Sequence, residues 1–283
     1  MIQKRFYGKN KEPLSIIGFG GILVMNEDQE TANRRVSEAI DLGINYFDVA
    51  PSYGDAEDKL DPAIRGKRDK IFLACKTMQR DKEGALEELK RSLKKLNSDY
   101  FDLYQLHAMT TEDDFQKVTG PNGALEAFLK ARDEGLIRYI GFSAHSAEIA
   151  LKLLEVFNFD SILFPINWVC YFNGNFGPQV IEKAKEKGVT ILALKAMAKT
   201  IIPEGQERKY PKCWYEPVDD KELAQLALRF TLSQNVTAAI PPGEYKFFQW
   251  AIEVGMNFHP ITQEELEYLK KLALNIEPIF KVS

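Results

Sequence analysis

Cysteine and histidine are scarce in this chain of 283 residues, which has three of each. Cys75, Cys170 and Cys213 show no C-x-x-C spacing, so neither a disulfide framework nor a zinc or iron–sulfur site is supported, and no metal is expected. Basic charge is not in excess. The net charge is −4, and the short groups Lys67–Arg68, Lys94–Lys95 and Lys270–Lys271 stand apart, which argues against nucleic acid as a partner. Long apolar runs are missing too: the stretch 190–202 is broken by Lys195 and Lys199, and Met1–Phe6 lacks the apolar core of a signal peptide. These absences predict a soluble, cytoplasmic protein with no membrane partner. No G-x-S-x-G or Walker motif occurs, and no carboxylate pair suits glycoside hydrolysis.

What the chain does have is a regular alternation. Apolar β-rich runs fall at 14–20, 45–50, 71–77, 101–107, 137–143, 161–167, 190–196 and 237–241. They are apolar nearly throughout, as parallel strands buried on both faces are. Between them lie helical stripes: Ala32, Val36, Ala39 and Ile40; Leu86, Leu89, Leu93 and Leu96; Ala147, Ala150, Leu151 and Leu154; Leu223, Leu226, Ala227 and Phe230. Eight such runs are the number a closed (β/α)₈ TIM barrel needs. An open doubly wound sheet would place a G-x-G-x-x-G turn after its first strand, whereas Gly18-Phe19-Gly20-Gly21-Ile22-Leu23 lacks the third glycine. The sequence therefore predicts an α/β protein, one barrel domain over residues 1–283. A β-hairpin in residues 1–12 precedes the barrel, and the capping box Thr262–Glu265 opens an extra C-terminal helix. The long connections 108–122 and 197–219 both follow strands, at the barrel end that carries chemistry.

At that end three apolar strands place Asp48, Lys76 and His107 on neighbouring staves, with Tyr53 on the loop just beyond the second strand. A single lysine closing a strand is ordinarily exposed. A lysine and an aspartate at equivalent depth on adjacent strands can neutralise each other, which makes burial tolerable. An ammonium beside a phenol favours phenolate, so Lys76 would lower the pKa of Tyr53 and make it a better proton donor. Asp48 would hold Lys76, and His107 would hydrogen-bond a carbonyl oxygen. None of these groups carries electrons, so a hydride has to come from a cofactor.

The words around these residues are Asn45-Tyr46-Phe47-Asp48, Tyr53-Gly54-x-Ala56-Glu57, Leu73-Ala74-x-Lys76-Thr77 and Asp102-Leu103-Tyr104-Gln105-Leu106-His107, with Gly141-Phe142-Ser143 further on. Together they resemble the aldo-keto reductase superfamily over residues 5–274. The resemblance implies NAD(P)H-dependent reduction of aldehydes or ketones to alcohols, or the reverse, by hydride transfer. It makes Tyr53 the general acid–base, tuned by Lys76 and Asp48, and His107 the group that orients the substrate. Gly21, Asp48, Ser143, Asn167, Leu194, Lys195, Met197, Ile240 and Gly243 fall where the family holds its cofactor. Ile22, Tyr53, His107, Trp168 and Trp214 fall where a small carbonyl substrate would sit.

Departures from the family pattern are specific. Ala144 stands in place of an Asn and is followed by His145; Leu194 stands where an aromatic often stacks on the nicotinamide. Pro242-Gly243 and Phe248 replace the Lys-Ser and Arg that grip a 2′-phosphate, leaving Lys246 as the nominated cation. The resemblance thus implies NADP or NAD: the family favours NADP, and the missing residues leave room for NAD. Cys75 is expected to point away from Lys76 as an inert thiol. The alternative reading is a nicotinamide-binding regulatory subunit of the same fold with little turnover and a protein partner. The absence of an extra N-terminal segment and of a partner-binding tail weighs against it; a monomer or weak homo-oligomer is expected.

Overall fold

The computed structural model describes residues 1–282. It opens with an antiparallel hairpin, β1 (Lys4–Tyr7) and β2 (Glu12–Ser15), turned through Gly8 and Lys11. Eight parallel strands follow among the described residues: β3 (Phe19–Gly20), β4 (Tyr46–Asp48), β5 (Phe72–Thr77), β6 (Phe101–Met109), β7 (Ile137–Ala144), β8 (Ser161–Pro165), β9 (Thr190–Leu194) and β12 (Ala238–Ile240). Between the last two lies a second small hairpin, β10 (Ala198–Ile201) with β11 (Tyr215–Pro217). The parallel strands pair in chain order, and a bridge between Ile17 and Ala239 joins the two ends of the sheet. This is the (β/α)₈ barrel.

The connecting helices are α1 (Gln29–Asp41), α2 (Ala56–Ile64), α3 (Lys82–Lys95), α4 (Glu112–Thr119), α5 (Ala124–Asp133) and α6 (Ala147–Val156). They continue as α7 (Trp168–Asn173), α8 (Pro178–Lys187), α9 (Lys221–Leu232), α10 (Tyr245–Met256) and α11 (Gln263–Ala273). Side-chain oxygens start several of them: Asp28 accepts from Thr31, Asp81 from Gly84, Ser146 from Ile149, and Asp220 from Leu223. The capping box at Thr262 and Glu265 is present and opens α11.

Alternation along the strands sorts side chains between two cores. Tyr46, Phe72, Ala74, Leu103, Leu163, Leu192 and Ala238 point into the barrel, while Phe47, Leu73, Cys75, Tyr104 and Leu106 pack outward against the helices. Tyr7 and Leu14 of the first hairpin join the interior cluster and stop its lower end. The Tyr7 hydroxyl donates to Ser161 Oγ at 2.9 Å, and Arg5 donates to the carbonyl of Leu232 at 2.7 Å.

Two boundaries differ from the sequence reading. The run 14–20 is not one strand: its first residues complete the hairpin through β2, and only Phe19–Gly20 pair as a barrel strand. The backbone changes partner between them: the Ile16 N–H donates to the carbonyl of Gln3 at 2.9 Å, while its carbonyl accepts from the N–H of Ala239 at 2.9 Å. The two long connections are also not bare loops. One contains α4, started by the capping box of Thr111 and Asp114, and the other contains β10 and β11.

Candidate active site

Because Asp48, Lys76 and His107 share the inward parity of Tyr46, Ala74 and Gln105, the barrel delivers them to one place, above the interior core. They meet Tyr53 in a cavity of about 210 Å³ at the carboxyl ends of the strands. Asp48 and Lys76 are both fully buried and ion-paired. The Lys76 ammonium also donates to the carbonyl of Val49 at 3.3 Å and to the Tyr53 hydroxyl at 3.4 Å. The other carboxylate oxygen of Asp48 accepts from the Tyr46 hydroxyl at 3.3 Å and from Gln105 Nε2 at 3.2 Å. Every face of that carboxylate is therefore answered, which is what permits a charged pair inside a barrel.

Burial and charge set the protonation of these groups. Burial pushes the Tyr53 phenol above its ordinary value, and the Lys76 charge offsets only part of that rise. The net depression expected from Lys76 alone is thus corrected: desolvation of the phenolate wins. The Lys76 ammonium is itself held above the ordinary lysine value, because Asp48 and Tyr53 outweigh its burial. His107 is driven down to about 2, first by burial and then by the Lys76 charge, so it stands as neutral imidazole. Its Nδ1 is 3.4 Å from the Ser52 hydroxyl, and its ring meets Tyr53 edge-on at 5.8 Å.

A bulge in β6 aims His107. The register with β7 shifts between Leu106 and Met109, where Ala108 takes a φ of 53°. The freed N–H of Ala108 donates to Ser143 Oγ at 2.8 Å, which ties the bulge to the end of β7.

Ser143, Leu194, Lys195, Ile240, Gly243, Ile22 and Trp214 line the same cavity as the four polar residues. Others named from the sequence do not. Asn167 is fully buried and committed: its carbonyl caps α7 by accepting from Cys170, and its amide donates to the carbonyls of Lys195 and Ala198. Trp168 and Met197 are fully buried in the outer core. Gly21 packs on Val49, and it is Gly20 that faces the cavity. Lys246 is bound by the Asp219 carboxylate and by the Tyr210 hydroxyl at 3.2 Å, away from the cavity. Sequence reasoning missed Lys212 and Leu163, which also line it.

The model of the aldo/keto reductase family matches residues 16–273. The chain belongs to that family. Membership makes it an NAD(P)-dependent oxidoreductase of the carbonyl-reducing kind. Among similar proteins is the "Uncharacterized oxidoreductase YqkF" of Bacillus subtilis, 27% identical over 95% of this chain and 96% of that protein. The "Aldo-keto reductase YhdN" of the same organism is 29% identical over 68% of this chain and 59% of its own length. The solved aldo-keto reductase AKR11C1 of Bacillus halodurans, in its holo form, superposes with a TM-score of 0.77 at 26% identity, with both chains covered fully. No helix among the described residues is long and apolar enough to cross a membrane.

Proposed function

We propose that this reductase converts aldehydes or ketones to alcohols, or the reverse, with Tyr53 as the proton donor and acceptor and NADP or NAD as the hydride carrier. The observation that carries the reading is the buried Lys76 ammonium, paired with Asp48 and within 3.4 Å of the Tyr53 hydroxyl. A reduced nicotinamide held in the cavity would supply the hydride that the carbonyl carbon accepts. The oxygen then becomes an alkoxide, far more basic than a phenolate, so the proton of Tyr53 moves to it downhill despite the raised phenol pKa. Lys76 stabilises the phenolate left behind until solvent reprotonates it. His107, neutral, donates an N–H to the substrate oxygen without adding charge.

The rim of the cavity has features that suit the phosphates of a dinucleotide. A side chain at Gly243 would run into Ile22 Cγ2 at 2.2 Å, so the turn after β12 presents bare backbone there. The helix that follows, α10, starts without a side-chain cap, leaving N–H groups for an anion. Asn167 and Lys246 drop out of the cofactor contacts, and Ser143, Leu194 and Ile240 remain. A structure of a Klebsiella pneumoniae aldo/keto reductase, 21% identical, is described as a complex with NADP. With Lys246 neutralised by Asp219, selection of the 2′-phosphate by that lysine is not part of the reading. We place the enzyme in the cytoplasm as a single catalytic domain.

The experiment is to titrate purified protein with NADPH and NADH by fluorescence, then assay aldehydes with wild type and Tyr53→Phe. Cofactor binding by both, with turnover lost by about 10²-fold or more in the variant, is the expected result. Wild-type rates from the variant would end the reading.

A further inference from the structure

Three lysines line the cavity, and two have carboxylate partners among the described residues: Lys76 has Asp48, and Lys212 has Glu27 at 2.7 Å. Lys195 has neither an ion pair nor a hydrogen-bond acceptor for its ammonium among the described residues. The Nζ instead stands 5.0 Å from the ring centre of Trp214 and 4.9 Å from that of Tyr215. Its backbone is fixed at a φ of 65°, with its carbonyl accepting from Asn167 Nδ2 at 3.0 Å and from the N–H of Ala198 at 2.9 Å. Burial lowers its pKa only to about 8, so the group is an ammonium at neutral pH. Two aromatic faces answer that charge only in part, and without a counter-ion it is open to an anion entering the cavity.

His145 lines the same wall, its ring stacked on Phe280 at 5.3 Å and free of hydrogen bonds among the described residues. Burial holds it near a pKa of about 4, so it is neutral and keeps one N–H to donate. The two groups share one aromatic wall, since Trp214, which Lys195 faces, packs on the same Phe280 at 5.7 Å, and both line the cavity with His107. The paired Lys212 stands elsewhere, with its Cβ 3.3 Å from where a Cβ on Gly243 would lie. That puts Lys212 beside the turn suited to cofactor phosphates, whereas Lys195, expected from the sequence among the cofactor contacts, faces Trp214 and Tyr215 instead.

We infer that Lys195 and His145 form an anion subsite for substrate, and that the enzyme acts on carbonyl compounds bearing a carboxylate. The inference rests on the carbonyl-reduction reading. Lys195 supplies the opposite charge, His145 a neutral donor, and Trp214 an apolar wall for the carbon frame between carboxylate and carbonyl.

The test compares 4-carboxybenzaldehyde with 4-formylbenzamide, and 4-oxobutanoate with 4-oxobutanamide, using wild type, Lys195→Met and Lys195→Arg. Wild type is expected to favour each carboxylate over its amide by about 10- to 100-fold in kcat/KM, mostly through KM. In Lys195→Met the ratio should fall towards one, and Lys195→Arg should restore most of it. Equal use of acid and amide by wild type overturns the inference without needing a variant. A Lys195→Met protein that keeps its discrimination but loses affinity for NADPH overturns it as well, by assigning the lysine to the cofactor. If wild type binds cofactor yet turns over only neutral carbonyls, the subsite fails and carbonyl reduction stands. If it binds no cofactor, both fall.

Discussion

The Lys76 ammonium is at once paired with the Asp48 carboxylate and 3.4 Å from the Tyr53 hydroxyl, with no exposure to solvent. Removing one partner strands the other. Asp48→Ala is therefore expected to cost about 3–5 kcal/mol of stability as well as most of the activity. The double variant Asp48→Leu, Lys76→Met should recover much of the stability and none of the turnover. Urea unfolding and steady-state rates on the same preparations separate the two effects. A single variant as stable as wild type would mean that the pair is not buried as described.

The pH profile follows from two opposed shifts. His107, at about 2, stays neutral across the physiological range, and Tyr53 is raised, so it stays protonated. Reduction of a neutral aldehyde should then be flat between about pH 5 and pH 8 and decline only in strong base. An inflection near pH 6.5 that vanishes in His107→Gln would contradict the neutral imidazole.

His145 makes acid stability measurable. Its folded pKa of about 4 lies below the ordinary 6.5, so the unfolded chain binds the extra proton first. Stability from keeping this ring neutral is present above pH 6.5 and is lost as the pH falls towards 4. His145→Gln should flatten the fall in urea midpoint over that window. Parallel curves for the two proteins would refute the assignment.

The thiols give a simple count. Cys75, Cys170 and Cys213 are all buried, and burial raises each thiol above its ordinary value. Native protein should show essentially no reaction with a thiol-specific chromogen at neutral pH, and three equivalents should react after unfolding in guanidinium. Fast labelling of the native protein at Cys75 would make it a redox candidate after all.

Much of the site was legible because polarity inside an apolar strand is conspicuous. Asp48, Lys76 and His107 each stand towards the carboxyl end of a largely apolar run, and strand alternation alone places Cys75 on the opposite face. The cation and amide contacts were not legible. Asn167 sits three residues before Cys170, a helix-start spacing, and once α7 forms its amide is spent on structure. Trp168, the next residue, turns into the core with it. Lys246 looked available because its partner Asp219 lies in a loop 27 residues away. The role of Lys212 was hidden in the same way, its carboxylate partner being Glu27, 185 residues distant. Burial could not be read either, and it reverses the expected shift at Tyr53.

Tyr7 and Leu14 join the side chains that fill the barrel beneath the cavity, so the cleft has a solid floor and no way through the barrel. In a blind-ended vessel whatever lies deepest has to arrive first and depart last. If the dinucleotide lies beneath the carbonyl compound, steady-state kinetics will be compulsory-order, with the spent cofactor last out. Turnover would then be timed by that departure, and the packed floor of the barrel would be setting the sequence of events above it.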